Sequence, residues 1–368
     1  MAKFSNINTN KSNRFFITLF IALIGALIFQ FLHTPIPWLL GPMTAVFIGS
    51  RFNRFELYWP RSIREIGLII VGYSIGLSFT KTALYQIMAN LPSMLLMTTL
   101  LICFCAGIAF VVAKLTDVDY PTVLTGSIPG GLSQMITFAE EMKGIDITTV
   151  TFLQVARLMM IIFFVPFLVF GPLFHNSGKV DSGSSFLQNA DQTSGGILSP
   201  MLILFAVICV LSAILAKKIK APTPFLLGPI LGTAIFTIGG LQGPALIPSI
   251  LDLSQFMIGG YIGLLLKPEK LTNKAKVITL AIISGGLMIL CSLGLSLLLV
   301  YFRYFTPSTS FLSVAPGGMD QMGILAHAIG ADLSMVSGFQ LFRLFFIYFA
   351  VPPILRWIFK IRKTAKST

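Results

Sequence analysis

Arg157 and Arg343 lie in apolar stretches, and each follows a glutamine by three residues, Gln154 and Gln340. A guanidinium in such a stretch needs a counter-charge or several acceptors, because an unpaired charge is costly away from water. Residues three apart share a helix face, so each pair presents an amide and a guanidinium together. That combination suits recognition of an anionic group. Two alternatives stand beside it: pairing with backbone carbonyls of an interrupted helix, or pairing of one arginine with Asp320.

The interruption is supplied by Pro129-Gly130-Gly131, followed by Ser133 and Gln134, and by Pro316-Gly317-Gly318, followed by Asp320 and Gln321. Proline and glycine in an apolar segment break a helix and free backbone groups, which is tolerated at membrane depth only inside protein or beside a wet cavity. In inverted-repeat transporters such breaks meet near the midplane, and the positive ends of the following half-helices hold anionic groups. The hydroxyl, amide and carboxylate groups within one turn suit a polar solute or a coupling ion. The plainer account is that the glycines permit close helix packing, although packing alone needs no proline. Asp320 marks function if it is buried and is merely solvated if its end of the segment is interfacial. Asp146 and Asp332 open the last apolar run of each half and are expected to cap helices.

Composition says what must carry these groups. The 368 residues are 55% hydrophobic and 11% charged, where a soluble domain is about 25% charged. A soluble monomer is excluded. Residues 15–50, 82–113, 158–178, 192–216, 221–251 and 277–302 contain no Asp, Glu, Lys or Arg, and about 20 apolar residues cross a bilayer. The net charge of +13 sits in clusters between these runs, as expected of loops at an anionic leaflet rather than of a nucleic-acid surface. The run 15–32 follows Lys3, Lys11 and Arg14 without a small-residue cleavage site and is read as the first span. Cys103, Cys105, Cys209 and Cys291 lie in apolar runs as packing residues, and His33, His175 and His327 have no partner at ligand spacing. No nucleophile elbow, phosphate-binding loop or dinucleotide fingerprint occurs. No metal, cofactor or catalytic residue is expected, and the chain is not read as an enzyme.

The apolar runs form a repeat. Pro35-Ile36-Pro37-Trp38-Leu39-Leu40-Gly41-Pro42 recurs as Pro222-Thr223-Pro224-Phe225-Leu226-Leu227-Gly228-Pro229, and the register persists through Gly72 and Gly76 against Gly259 and Gly263 to the two Pro-Gly-Gly segments. After one deletion Asp146, Gln154, Arg157 and Pro166 match Asp332, Gln340, Arg343 and Pro352. One repeat covers 14–175 and the other 198–358, joined by a polar linker at 176–197. Corresponding loops carry opposite charge. Arg51, Arg54, Arg61 and Arg64 correspond to an uncharged loop at 240–250, while Lys217, Lys218 and Lys220 correspond to His33-Thr34, which has no Lys or Arg. Lysine and arginine concentrate on the cytoplasmic side, so the halves are inverted, with both termini cytoplasmic. Lys81 and Arg303 fall on the predicted outer side and count against this orientation. Inversion requires an odd number of crossings per half. The expectation is an all-α polytopic protein of two inverted repeats with about five spans each, near 14–32, 36–52, 65–81, 91–114 and 147–174 and their equivalents, each with a Pro-Gly-Gly broken or re-entrant helix at 121–139 or 306–326.

The repeated Pro-x-Pro-x-Leu-Leu-Gly-Pro and Pro-Gly-Gly-x-x-Gln-Met motifs resemble the AbrB-type duplicated membrane protein family of bacteria over nearly the whole chain. The resemblance implies a multi-pass cytoplasmic-membrane protein, in a family often labelled as regulators of gene expression and sometimes as ammonia monooxygenases, with no agreed catalytic residues. The expectation is a secondary transporter of a small polar or anionic solute, with the lipid bilayer and that solute as partners, no direct nucleic-acid contact, and self-association into a homo-oligomer left open. A membrane sensor acting indirectly on gene expression is the first alternative and a metal-dependent membrane oxygenase the second. The expected solute-binding set is Pro129, Gly130, Gly131, Ser133, Gln134, Gln154 and Arg157, with Pro316, Gly317, Gly318, Asp320, Gln321, Gln340 and Arg343.

Overall fold

The computed structural model describes residues 11–51, 56–115, 118–142, 144–171, 200–265, 274–303 and 305–366, and among these every regular element is an α-helix. In chain order they are α1 (Lys11–Phe31), α2 (Pro37–Gly49), α3 (Arg61–Leu77), α4 (Lys81–Ala89), α5 (Leu91–Leu115), α6 (Tyr120–Ser127), α7 (Leu132–Glu141) and α8 (Ile147–Val169). There follow α9 (Pro200–Lys218), α10 (Pro224–Ile238), α11 (Pro248–Gly263), α12 (Lys274–Arg303), α13 (Pro307–Val314), α14 (Met319–Ala328) and α15 (Leu333–Lys366). The expected linker at 176–197 lies outside the described residues, as do Arg54, Lys267 and Lys270.

Among the described residues, six helices are long and apolar enough to cross a bilayer: α1, α8 and α9 entire, and Leu91–Lys114, Ala281–Phe302 and Leu333–Arg356 within α5, α12 and α15. The sequence suggests ten spans. The difference lies in α2, α3, α10 and α11, which have 13, 17, 15 and 16 residues and reach only about 20 to 26 Å at 1.5 Å per residue, against about 30 Å of hydrocarbon. Proline explains part of the shortness. Pro37 and Pro224 sit where a helix begins, each preceded by a residue in the left-handed region, Ile36 at φ 50 and Thr223 at φ 44. A residue before proline is disfavoured in the right-handed α conformation, so neither helix extends back into its predecessor. α3 and α4 are bent by 86° across Ser78–Thr80, and counting them as one broken span gives seven crossings.

The chain forms two compact units, residues 1–70 with 246–267, and residues 71–245 with 268–368. In the first, α1 crosses α2 where two glycines meet: a Cβ on Gly25 would lie 2.4 Å from Gly41 O, and one on Gly41 2.5 Å from Gly25 O. α11 closes on α2 in the same way, with the Cβ positions of Gly259 and Gly263 2.5 Å from Leu39 O and 2.6 Å from Met43 O. Ala22, Ala26, Val46, Trp59 and Phe256 fill the core, and Trp59 Nε1 donates to Met257 O at 3.1 Å. Tyr58 N donates to Thr18 Oγ1, and Arg14 pairs with Glu56.

The second unit contains the counterpart of this arrangement. Gly228 of α10 would place a Cβ 2.5 Å from Ser212 O of α9, and the last turns of α3 rest on α10, with Gly72 and Gly76 Cβ positions 2.8 Å from Leu226 O and 2.9 Å from Ile230 O. Each contact falls on the repeat partner of one in the first unit. The same unit holds α5, α8, α12 and α15, and Met94, Leu101, Leu299, Val314, Met335 and Phe339 form a buried cluster from α5, α12, α13 and α15.

Candidate functional site

Both interrupted segments lie in the second unit, and each is built from a short helix, an extended break and a second short helix. α6 ends at Ser127 and α7 begins at Leu132; α13 ends at Val314 and α14 begins at Met319. The C-terminal carbonyls of α6 and α13 are freed by the break, and two side chains of the following long helix gather them. Arg157 Nη1 donates to Ser127 O at 3.2 Å and to Ile128 O at 2.8 Å, while its Nη2 donates to Gln154 Oε1 at 2.6 Å. The amide of Gln154 donates in turn to Thr125 O and Ile128 O, at 3.0 and 2.9 Å.

The second half repeats the bonds of this clamp and adds two. Arg343 Nη1 donates to Val314 O at 3.2 Å and Ala315 O at 2.8 Å, its Nη2 reaches Gly317 O at 2.8 Å, and Nη2 also donates to Gln340 Oε1. Gln340 Nε2 donates to Leu312 O at 2.8 Å, Ser313 O at 3.4 Å and Ala315 O at 3.1 Å. Of the three partners open to these arginines from sequence, the structure provides the carbonyls of the broken helix. A cation at the negative end of a half-helix is also favoured by its dipole. All four clamp side chains are buried, Arg157 and Arg343 being 7% and 5% exposed. One donor of the first clamp remains: Arg157 Nε is buried and has no acceptor.

Each break rests on the last helix of the other half. The Cβ position of Gly130 is 3.1 Å from Ile347 Cγ2 and that of Gly317 is 3.1 Å from Ile161 Cγ2, one helical turn beyond each arginine. Gln134 Nε2 donates to Ile347 O at 3.2 Å. The aspartates cap: Asp146 accepts from the amides of Thr148 and Thr149, and Asp332 from those of Ser334 and Met335. Thr122 and Thr309 accept from the Asp146 and Asp332 amides, tying each cap to the first half-helix. These threonines carry no sequence signal beyond the repeat register itself.

At the opposite ends, α7 and α14 begin after Gly131 and Gly318, which have no side chain to cap them. Their first amides carry the partial positive charge of a helix start. Gln134 and Gln321 stand within this turn, and Oε1 of each is buried without a partner. Asp320 is 8% exposed and is the carboxylate in the buried class among the described residues. The Ser133 side chain lies outside the described set. Pro129 and Pro316 fall in the breaks, where a missing N–H interrupts no helix.

An all-helical chain with six or seven bilayer-length helices and two clamped interruptions belongs to the class of multi-pass membrane proteins. The chain belongs to the AbrB family, whose profile, described as transition state regulatory protein AbrB, matches residues 38–359. It is 25% identical over 338 residues to "Putative regulator AbrB" of Escherichia coli (strain K12), covering 92% of this chain and 94% of that protein. It is also 26% identical over 301 residues to "Uncharacterized protein YhjN" of Bacillus subtilis (strain 168), covering 79% of this chain and 77% of that one.

Proposed function

We propose that this chain is a secondary transporter of a small polar or anionic solute in the cytoplasmic membrane, made of two inverted repeats that carry paired re-entrant helices. The observation that carries it is the doubled clamp. Each half fixes the negative end of its first half-helix with a buried Gln/Arg pair and starts its second half-helix at a glycine. Two buried guanidiniums and the free Arg157 Nε donor, set against Asp320 as the buried carboxylate among the described residues, leave the interior with more positive than negative charge, which favours anionic solutes. Inversion is supported by the exposed Lys217, Lys218 and Lys220, whose repeat counterparts include no Lys or Arg, and by Arg51 and Arg61 against the counterpart loop 240–250, which has no charged residue. On this reading no covalent chemistry is assigned, and the regulator names of the family and the Escherichia coli relative reflect indirect consequences of solute movement.

Thermal unfolding of the purified protein against choline salts of small organic and inorganic anions tests the solute class, since a bound ligand raises apparent stability by mass action. A small anion should raise Tm with saturation. Gly131→Ala should weaken that response without unfolding the protein, because the added Cβ meets nothing nearer than 3.8 Å. If neutral or cationic compounds shift Tm and no anion does, the anionic class is wrong.

A further inference from the structure

α4 follows α3 across a bend of 86°. Its nine residues are about 14 Å long at 1.5 Å per residue, and at that angle they add only about 1 Å along the α3 axis. The helix is therefore too short to span and does not complete the span begun by α3. It starts at a cap, the Thr80 hydroxyl accepting from Ala83 N at 3.2 Å, and stops at Asn90, whose amide closes on Gln86 O and Ile87 O. Its three sides meet three surroundings. Ala83 and Ile87, four apart, face the protein: Ala83 is buried, and a Cβ on Gly338 of α15 would lie 2.9 Å from Ile87 Cγ1. Leu84, Tyr85 and Met88 share the adjoining side and are 39%, 75% and 58% exposed. Thr82, Gln86 and Ala89 occupy the remaining side and are exposed as well.

An exposed apolar strip beside an exposed polar one fits a boundary between two phases rather than either phase alone. What covers the apolar strip follows from its continuation. α5 begins directly after Asn90, and Leu91, Leu95 and Leu96 in its first two turns are exposed too; on a helix of bilayer length such side chains face lipid. We infer that α4 lies along the membrane surface as an interfacial helix, with Leu84, Tyr85 and Met88 seated between phospholipid head groups and acyl chains and with Thr82 and Gln86 in water. Tyrosine suits that depth, because its ring is apolar and its hydroxyl reaches water. Lys81 stands at i−3, i−4 and i−7 from these three residues, on the same side, and from there its stem lies on lipid while its ammonium reaches the head-group phosphates. The contact of Ile87 with Gly338, two residues before Gln340, ties this surface helix to the helix that carries the second clamp. The placement depends on the membrane class of the chain and is independent of transport.

Depth-resolved fluorescence quenching tests it. Full-length protein in a cysteine-free background, carrying Leu84→Cys, Gln86→Cys, Met88→Cys or Phe104→Cys, is labelled with the fluorophore NBD and reconstituted into phosphatidylcholine–phosphatidylglycerol vesicles. All four positions are exposed, so the label displaces no packed side chain, and Phe104, about 20 Å along α5, is the deep reference. Labels at Leu84 and Met88 should be quenched about twofold more by 5-doxyl than by 12-doxyl phosphatidylcholine, as befits an apolar face at the head-group boundary, and the label at Phe104 in the opposite order. With iodide on both sides of the membrane, the label at Gln86 should be quenched severalfold more than those at Leu84 and Met88. Stronger quenching of Leu84 and Met88 by the 12-doxyl lipid would make α4 part of a broken span. Quenching of these two by iodide alone would put the strip in water, and quenching by neither would mean that protein, such as a second copy of the chain, covers it. Each of these three results overturns the surface placement.

Discussion

Arg157 and Arg343 show what a side chain can and cannot reveal from sequence. Their depth, their glutamine partners and their need for acceptors are visible in the spacing, but the acceptors are backbone carbonyls, which have no residue letter. The anion-recognition and carbonyl-pairing accounts therefore stay equal until the break is seen in three dimensions. The clamps predict a specific mutational pattern. Replacing either arginine by lysine keeps the charge but loses the planar fork, leaving carbonyls unmatched at a cost of about 1–3 kcal/mol each. Arg343→Lys should lower Tm more than Arg157→Lys, because Arg343 serves three carbonyls and Arg157 two. Equal or absent effects in thermal unfolding would contradict the clamp. The glycines at the breaks separate in the same way: Gly131→Ala should leave Tm nearly unchanged, while Gly317→Ala, whose Cβ would fall 2.5 Å from Met322 Cε and 3.1 Å from Ile161 Cγ2, should lower it.

Among the helices, the repeat was legible in the Pro-x-Pro-x-Leu-Leu-Gly-Pro motif and in the glycines, yet the partner of each glycine was not. Gly72 and Gly76 match Gly259 and Gly263 by sequence, and the structure shows that the first pair rests on α10 and the second on α2. The third helix of each half thus packs on the second helix of the other. Periodicity within one segment cannot show which segment it meets. The crossing predicts that Gly72→Ala and Gly259→Ala destabilise to a similar degree, by about 1–3 kcal/mol from overpacking, since their Cβ atoms would lie 2.8 and 2.5 Å from a carbonyl oxygen. Gly107→Ala and Gly294→Ala are the controls. Both sit inside long helices with nothing within 4 Å of the Cβ position, and alanine there should be neutral or stabilise by up to about 1 kcal/mol through helix propensity. Thermal unfolding of the four variants decides it. The expected spans around α2 and α10 are longer than the helices because apolar composition runs on past the helix ends at Gly49 and Ile238.

For the molecule as a whole, composition alone was enough to establish a membrane class, and loop charges gave an orientation that helix lengths do not. On the orientation expected from the loop charges, with both termini cytoplasmic, single cysteines placed in the corresponding loops at Arg51 and at Gln242 in a cysteine-free background should label oppositely in intact cells, Gln242 reacting with a membrane-impermeant maleimide and Arg51 only after permeabilisation. Labelling of both from one side would remove the inverted arrangement. The central claim is movement of a solute, and the most direct measurement is uptake by proteoliposomes of the anion that stabilises the purified protein, under an imposed cation gradient. The account predicts saturable, gradient-dependent accumulation that Gly131→Ala reduces and empty liposomes lack. Binding of the same anion with no uptake under any gradient would contradict transport and leave a membrane sensor in its place.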